Sequence, residues 1–472
     1  MRLCFIQKGA FPYFGIIELA GFLRWKGHES DVVIDDLEDD LVRAVKDARP
    51  DMLGISCMST ETSWLAETAK LLHREFPELP LVVGGVHAML YPEMVMSVEG
   101  VTYVCTGDGE ETLPALFAAL KDPSTLPDVP GLGYRDAEGR IVFTPRASLY
   151  QTIDASLATR DVYYNRYPLL SRDELKQFSS SRGCPFACAF CFNSQLRRLT
   201  QGLGTYVRRK SPELFIKEIE ATVGTYGVKT IFFADDLFLT NKKWLRQFLA
   251  LYKERVNVPF MCSVRADSVD EETAKMLGES QCSTITFGLE TGNEQLRKNV
   301  LQKSVTDEHI RQCAAVLRKN GIKIQSSNMF CIPDETFEDA LKTVRMNIEV
   351  KVDFAFCTIF MPFPGTPLAN YCIEKGLLKK DFDFRDLPKS FLTNSILNIK
   401  DRKRLQSVQR CAYFMIRYPI LYRPLALLVR LFGNSGLFYP LVFLGTFMRY
   451  KEERGISFRA AVRFLWRFRS SF

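Results

Sequence analysis

The chain has 472 residues, 47% of them hydrophobic and 25% charged, an ordinary globular mix that excludes wholesale disorder, collagen-like repeats and a multi-span membrane protein. Thirteen cysteines stand against only four histidines, His28, His73, His87 and His309, which disfavours an imidazole-built zinc enzyme, and the cysteines are too dispersed for a small disulfide scaffold. Net charge is +7, but residues 401–472 carry 12 Arg and 2 Lys against Asp401, Glu452 and Glu453, a local +11, so the basic character belongs to that segment and no nucleic-acid partner is expected.

Residues 1–6 show no basic stretch leading into a long apolar run and no small-residue cleavage site, so no secretory signal is expected and the protein is read as cytoplasmic with reduced thiols. In the first 140 residues, β-rich runs at 2–7, 30–34, 52–56, 81–84 and 101–104 alternate with helical patterns at 16–26, 37–48, 62–75 and 111–121. That pattern predicts a doubly wound α/β domain on a parallel sheet. Pro123, Pro127 and Pro130 punctuate its end, and a hairpin and a linker ending at 175 follow. A second series of strands is predicted at 178–181, 230–234, 260–264, 284–288, 323–330 and 354–360, with helices such as 212–226 and 307–320 between them. Six βα units make a partial (βα)6 barrel over 176–385, with chemistry expected at the carboxyl ends of the strands. Residues 386–472 read as a basic, aromatic, helical C-terminal region.

The strongest local signal follows the first strand of the second series: Ser181-Arg182-Gly183-Cys184-Pro185-Phe186-Ala187-Cys188-Ala189-Phe190-Cys191, with the spacing CxxxCxxC. Three thiolates this close can ligate three irons of a cubane cluster and leave the fourth iron open for chemistry. A closed zinc site would want a fourth Cys or His nearby, and no other lies between Gln151 and Met261.

This stretch resembles the signature of the radical S-adenosylmethionine superfamily, with Phe190 as the aromatic before the third cysteine. The resemblance implies a 4Fe–4S cluster on Cys184, Cys188 and Cys191. It also implies S-adenosylmethionine contacts at Phe190 and at the strand ends: Asp235 after Phe232-Phe233-Ala234, then Ser263 and Arg265, then Glu290 in Gly288-Leu289-Glu290-Thr291-Gly292. One electron from the reduced cluster would cleave the sulfonium and yield a radical able to take hydrogen from unactivated carbon. For Glu290 and Arg265 a structural ion pair within the barrel is the competing reading. The other ten cysteines lie mostly in apolar strands or helices and read as core.

A doubly wound domain alone does not choose its ligand, but the loops of this one resemble those of the cobalamin-binding domain. That family carries DxHxxG, then SxL, then GG. Here Ser56 and Met58 stand at the second motif and Gly84-Gly85 at the third, while Gly107-Asp108-Gly109-Glu110 opens a later helix where backbone N–H groups can meet a phosphate or amide-rich tail. The first motif departs from the pattern: the stretch ends in Gly15, and Pro12 takes the histidine's place. If cobalamin binds there, no imidazole ligates the lower face of cobalt; loss of cobalamin is the alternative. His87 is read as structural.

Together the two resemblances, over about residues 1–385, imply a cobalamin-dependent radical S-adenosylmethionine enzyme. C-methylation at an unactivated carbon is the expected reaction, consuming two molecules of S-adenosylmethionine. Ring contraction, cyclisation or another oxidative rearrangement is the alternative within that class, and a non-catalytic corrinoid- or cluster-binding sensor the alternative outside it. No catalytic residue is singled out. An electron donor such as flavodoxin or ferredoxin is implied. Fifteen aromatics among the arginines of residues 401–472, as in Arg417-Tyr418 and 463–469, suggest either contact with a membrane surface, with a lipid-like substrate, or a helical cap over the barrel mouth.

Overall fold

The computed structural model describes residues 1–388, 390–434 and 436–454. The run at 463–469 lies outside them. The chain packs as two compact units, one of Met1–Pro185 with Gln195–Lys229, the other of Phe186–Ser194 with the chain from Thr230 onward.

The first unit is built on strands β1 (Arg2–Gln7), β2 (Glu29–Ile34), β3 (Met52–Ser56), β4 (Leu81–Gly84), β5 (Tyr103–Cys105), β6 (Leu132–Arg135) and β7 (Ile141–Phe143), in the order β2-β1-β3-β4-β5-β6-β7. The first five pair in parallel, and β6 and β7 add an antiparallel hairpin at the edge. Alternation along the strands explains the layering. Leu3, Phe5, Met52 and Val82 enter one apolar cluster and Cys4, Ile6, Leu53, Ile55, Leu81 and Val83 the other, so both faces are covered by helices. The helix expected from 37 starts at Leu41, because the Asp40 side chain accepts a hydrogen bond from the Arg43 N–H at 3.0 Å and caps it there.

Three further short strands of this unit are β8 (Leu175–Phe178) and the antiparallel ribbon of β9 (Ser181–Arg182) with β10 (Arg208–Arg209). β8 precedes the strand expected at 178–181. The pattern was obscured by Lys176, which is buried and donates to the Leu170 and Ser171 carbonyls at 2.7 and 2.9 Å. A lysine there reads as solvated only until its partners are known.

In the second unit β11 (Thr230–Phe233), β12 (Phe260–Val264), β13 (Cys282–Glu290), β14 (Lys323–Phe330) and β15 (Phe354–Ile359) lie side by side in chain order, all parallel. Helices Lys242–Arg255, Glu271–Glu279, Asp307–Lys319 and Phe337–Glu349 connect them. Their N-caps are Asn241, Asp270, Thr306 and Thr336, each accepting a backbone N–H through its side chain. Alternate strand residues are buried. Those between them, including Phe232, Met261, Ser263, Thr286, Gln325, Ser327 and Met329, are only half-buried and share one face by register. That is the inner face of the partial barrel, and the side chains just named are hydroxyl, amide, thioether and aromatic groups, with Lys323 at the amino end of β14 and Glu290 at the carboxyl end of β13.

The C-terminal region is helical. Helix Arg402–Arg417 belongs to the core: Leu405, Val408, Cys411, Ala412 and Met415 are fully buried with Phe330, Ala340 and Val344. Helices Tyr422–Phe432 and Tyr439–Arg454 follow. Among the described residues no helix is long and apolar enough to cross a membrane.

Candidate functional site

In the second unit the cysteine loop is pinned by its backbone. The Ala189 N–H donates to the Leu301 carbonyl and the Leu368 N–H donates to the Ala189 carbonyl, both at 2.9 Å, while Phe190 packs against an apolar cluster containing Leu301, Ile332 and Phe360. Cys184 falls in the first unit, Cys188 and Cys191 in the second. All three are half-buried; of the other ten cysteines only Cys357 is so exposed. Inserted metal needs that access. Among the described residues no three His, Cys, Asp or Glu side chains gather as a metal site; the three thiols lie within one eight-residue segment of chain.

Two cations stand close enough to Cys188 to offset part of the cost of its burial. Burial pushes the Cys188 thiol up, and the Lys303 and Arg265 cations pull it back; an Arg265 Nη1 stands 4.0 Å from its sulfur. Arg265 is itself held by Asp267 at 2.8 Å and by the face of Phe186, 3.7 Å from the ring centroid. Burial pushes Cys191 up to about 11, against hydrogen bonding from Asn193. The Asn193 amide lies 3.8 Å from the Cys191 sulfur and also bonds Asp236.

The strand-end residues named from sequence take different situations. Ser263 lies on the inner face, and Asp235 is buried just beyond β11. Glu290 ends β13 at φ +64° and accepts from Lys303 Nζ at 2.7 Å; the same ammonium donates to the Gly288 carbonyl at 2.7 Å. A Cβ at Gly288 would sit 2.0 Å from the Glu290 carboxylate oxygen and 2.4 Å from that ammonium, so a larger residue there would displace the ion pair. Lys303, Asn193 and Asp267 went unread in the sequence, since nothing in their local spacing links them to the cysteines.

The first unit holds a cavity of about 280 Å³ at the carboxyl ends of its strands, lined in part by Gly15, Ser56, Gly84, Gly85, Gly107 and Glu110. Crevices of doubly wound sheets open on this edge, and ligands bind there. Gly85 is required by its surroundings: it has φ +90°, and a Cβ there would lie 2.9 Å from the Cys57 backbone N and O. Pro12 and Met58 do not line the cavity; Pro12 is half-buried and Met58 is exposed. His87 is buried with Nδ1 3.1 Å from Ser59 Oγ, and burial lowers its pKa to about 4, so it is held neutral away from the cavity.

Glu110 does not stand alone. Arg182, two residues before Cys184, pairs with Glu110 and Glu18 at 2.5 Å each, and Lys210 pairs with Glu18 at 3.1 Å and Glu218 at 2.7 Å. Arg208 pairs with Asp108, and Arg160 with Glu218. Burial alone would raise the Glu18 carboxyl, yet the Lys210 and Arg182 cations hold it down to about 2. This network closes one wall of the cavity with charges that are already matched. The remaining lining is mostly apolar or glycine backbone, suited to a large amide-bearing tail.

A doubly wound domain with a glycine-walled crevice and a partial parallel barrel with an accessible CxxxCxxC loop define an enzyme class that joins a corrinoid to radical chemistry. Comparison with known proteins agrees. Residues 178–346 match the Radical SAM superfamily and residues 8–117 the B12 binding domain. An uncharacterized methyltransferase of Pyrococcus horikoshii is 30% identical over 382 residues, covering 78% of this chain and 80% of the relative. An anaerobic magnesium-protoporphyrin IX monomethyl ester cyclase of Rubrivivax gelatinosus is 24% identical over 392 residues, 80% of this chain and 68% of the relative. The solved structure of the cobalamin-dependent S-adenosylmethionine radical enzyme OxsB with aqua-cobalamin bound aligns at a TM-score of 0.69 and 15% identity, over 100% of this chain and 76% of that one.

The chain therefore belongs to the cobalamin-dependent radical S-adenosylmethionine enzymes, and its cofactors are a 4Fe–4S cluster, S-adenosylmethionine and cobalamin. The residues present fit them: reachable thiols with Arg265 beside Cys188, an inner face bearing hydroxyl and amide groups, and a crevice whose glycines leave room for a ligand.

Proposed function

We propose that the protein is a C-methyltransferase acting on an unactivated carbon of an apolar or lipid-like small molecule. In this reading Cys184, Cys188 and Cys191 hold the cluster, and Phe190, Asp235, Ser263, Arg265 and Glu290 hold S-adenosylmethionine. Gly15, Ser56, Gly84, Gly85, Gly107 and Glu110 would hold cobalamin in the cavity they line, while Pro12 and Met58, named with them from the sequence, lie off that cavity. When bound, these groups would supply radical chemistry from one S-adenosylmethionine and methyl transfer from a second.

The chain's own residues position and exclude. The Arg265 guanidinium, fixed by Asp267, offsets part of the burial that raises the Cys188 thiol; Lys303 fixes Glu290 at the end of β13; and Gly288, without a side chain, leaves room for that ion pair. The inner face offers Ser263, Thr286, Gln325 and Ser327 for hydrogen bonding. This half-open, hydroxyl- and amide-bearing face, in the same unit as Cys188 and Cys191, carries the reading, because it suits holding a small molecule for radical chemistry supplied by bound cofactors. The methyltransferase named among the relatives supports the outcome.

The identity of a second relative as a cyclase favours oxidative cyclisation as the alternative. Anaerobic incubation with a reductant, S-adenosylmethionine and lipid extract separates the two. Methylation gives 5′-deoxyadenosine, S-adenosylhomocysteine and a product heavier by one methylene; cyclisation gives 5′-deoxyadenosine without S-adenosylhomocysteine. Comparing lipid extracts from cells with and without the protein identifies the substrate. We place the enzyme at the cytoplasmic face of a membrane, with flavodoxin or ferredoxin as electron donor.

A further inference from the structure

Helix Tyr422–Phe432 carries apolar residues on two faces. Tyr422, Leu425, Ala426 and the buried Val429 pack on the core cluster, while Ile420 in the preceding turn and Pro424, Leu427, Leu428 and Leu431 recur at i, i+4, i+7, i+8 and i+11, so a second apolar stripe is turned to solvent. Ile420 is 85% exposed, Leu427 57%, Leu431 63% and Leu437, just beyond, 65%. Phe432, Phe443 and Leu444 are also exposed, on this helix and the next. Scattered exposed leucines need no explanation; a continuous stripe does.

We propose that this face, residues 418–444, docks on an anionic lipid surface. Two observations choose the occupant. Arg423 and Arg430 are exposed on the same helix, two turns apart, the second paired with the exposed Glu338, and from 402 to 451 there are nine Lys and Arg and no Asp or Glu. A two-fold contact with a second copy would bring these arginines onto like charge. The stripe is leucine, isoleucine and proline, whereas protein interfaces concentrate their binding energy in Trp, Tyr and Arg and under-use Leu. Acyl chains accept aliphatic side chains without needing a matched pocket, and phosphate headgroups meet the flanking arginines. The docking rests on geometry independent of the methylation reading, and it explains how an apolar substrate would be reached.

The test is vesicle co-sedimentation of the full-length protein without S-adenosylmethionine, reductant or substrate, so that its result stands apart from the proposed reaction. Vesicles of phosphatidylcholine with one-fifth phosphatidylglycerol should pellet the protein, and salt should release part of it. Arg423→Ala should bind about fivefold more weakly, from roughly 1 kcal/mol per arginine near such a surface. Leu427→Ser/Leu428→Ser/Leu431→Ser should lose binding while keeping the parent's circular dichroism, since none of the three is buried. Ile420→Trp should gain a blue-shifted emission component on these vesicles. Binding that the leucine variant retains, a full-length protein that ignores the vesicles, or sedimentation equilibrium showing a dimer that the leucine variant dissolves would each overturn the proposal.

Discussion

Glu18→Gln isolates what the buried charge network contributes to the cobalamin-binding unit. Glutamine has the shape of the protonated carboxyl, so the variant removes ionisation and little else. Glu18 lies between Arg182 and Lys210 with its side chain 14% exposed, and its pKa falls from 4.5 to about 2. A drop of about 2.5 units at about 1.4 kcal/mol each gives roughly 3 kcal/mol of stability. Removing one partner of a buried pair is separately expected to cost about 3–5 kcal/mol. At about 2–4 °C per kcal/mol for a domain of this size, Tm should fall by about 6–12 °C at pH 7.

The sign of the pH dependence follows from the depressed pKa. The contribution is complete above the unfolded value near 4.5 and is lost as pH falls toward about 2. By pH 3 the gap between parent and variant should shrink to roughly 1 kcal/mol. Thermal unfolding followed by far-ultraviolet circular dichroism measures the gap, and hydrogen exchange of peptides from β1, β3 and β4 assigns it to the first unit. Equal Tm values at pH 7, or a gap that does not narrow on acidification, would refute the assignment of this energy to Glu18.

Replacing Cys184, Cys188 or Cys191 with Ala should remove most of the iron and sulfide and abolish 5′-deoxyadenosine formation, whereas Cys331→Ala should do neither; iron and sulfide assays decide. Gly288→Ala, which forces a Cβ against the Glu290 carboxylate and Lys303 ammonium, should weaken S-adenosylmethionine binding at least tenfold by equilibrium dialysis while cluster content holds. Cobalamin bound to the protein should be base-off without a protein imidazole, and His87→Ala should not alter the cobalt(II) paramagnetic resonance spectrum; nitrogen splitting in the parent that this variant removes would contradict the placement of His87. Gly85→Ala should reduce cobalamin retention on gel filtration, because its Cβ would meet the Cys57 backbone.

The sequence by itself determined what depends on local period and spacing. Strand runs such as 2–7, 52–56 and 81–84 and the helix at 62–75 are legible because apolar residues repeat at two or at 3.6 along contiguous chain. The cysteine triplet is legible because its ligands lie within eight residues. Tertiary structure alone decided which distant residues meet. Glu18, Glu110, Arg182 and Lys210 form one buried network across 192 residues of chain, and Lys303 reaches Glu290 only through the turn that follows β13. The C-terminal region makes the same point within fifty residues. Helices Arg402–Arg417 and Tyr422–Phe432 are alike in their arginines and apolar residues, yet the first buries its apolar side against β14 and Phe337–Glu349, while the second packs Leu425, Ala426 and Val429 there and leaves Leu427, Leu428 and Leu431 in solvent. Composition records how much apolar surface a helix has; only the packing of the rest of the chain decides whether anything is left to cover it.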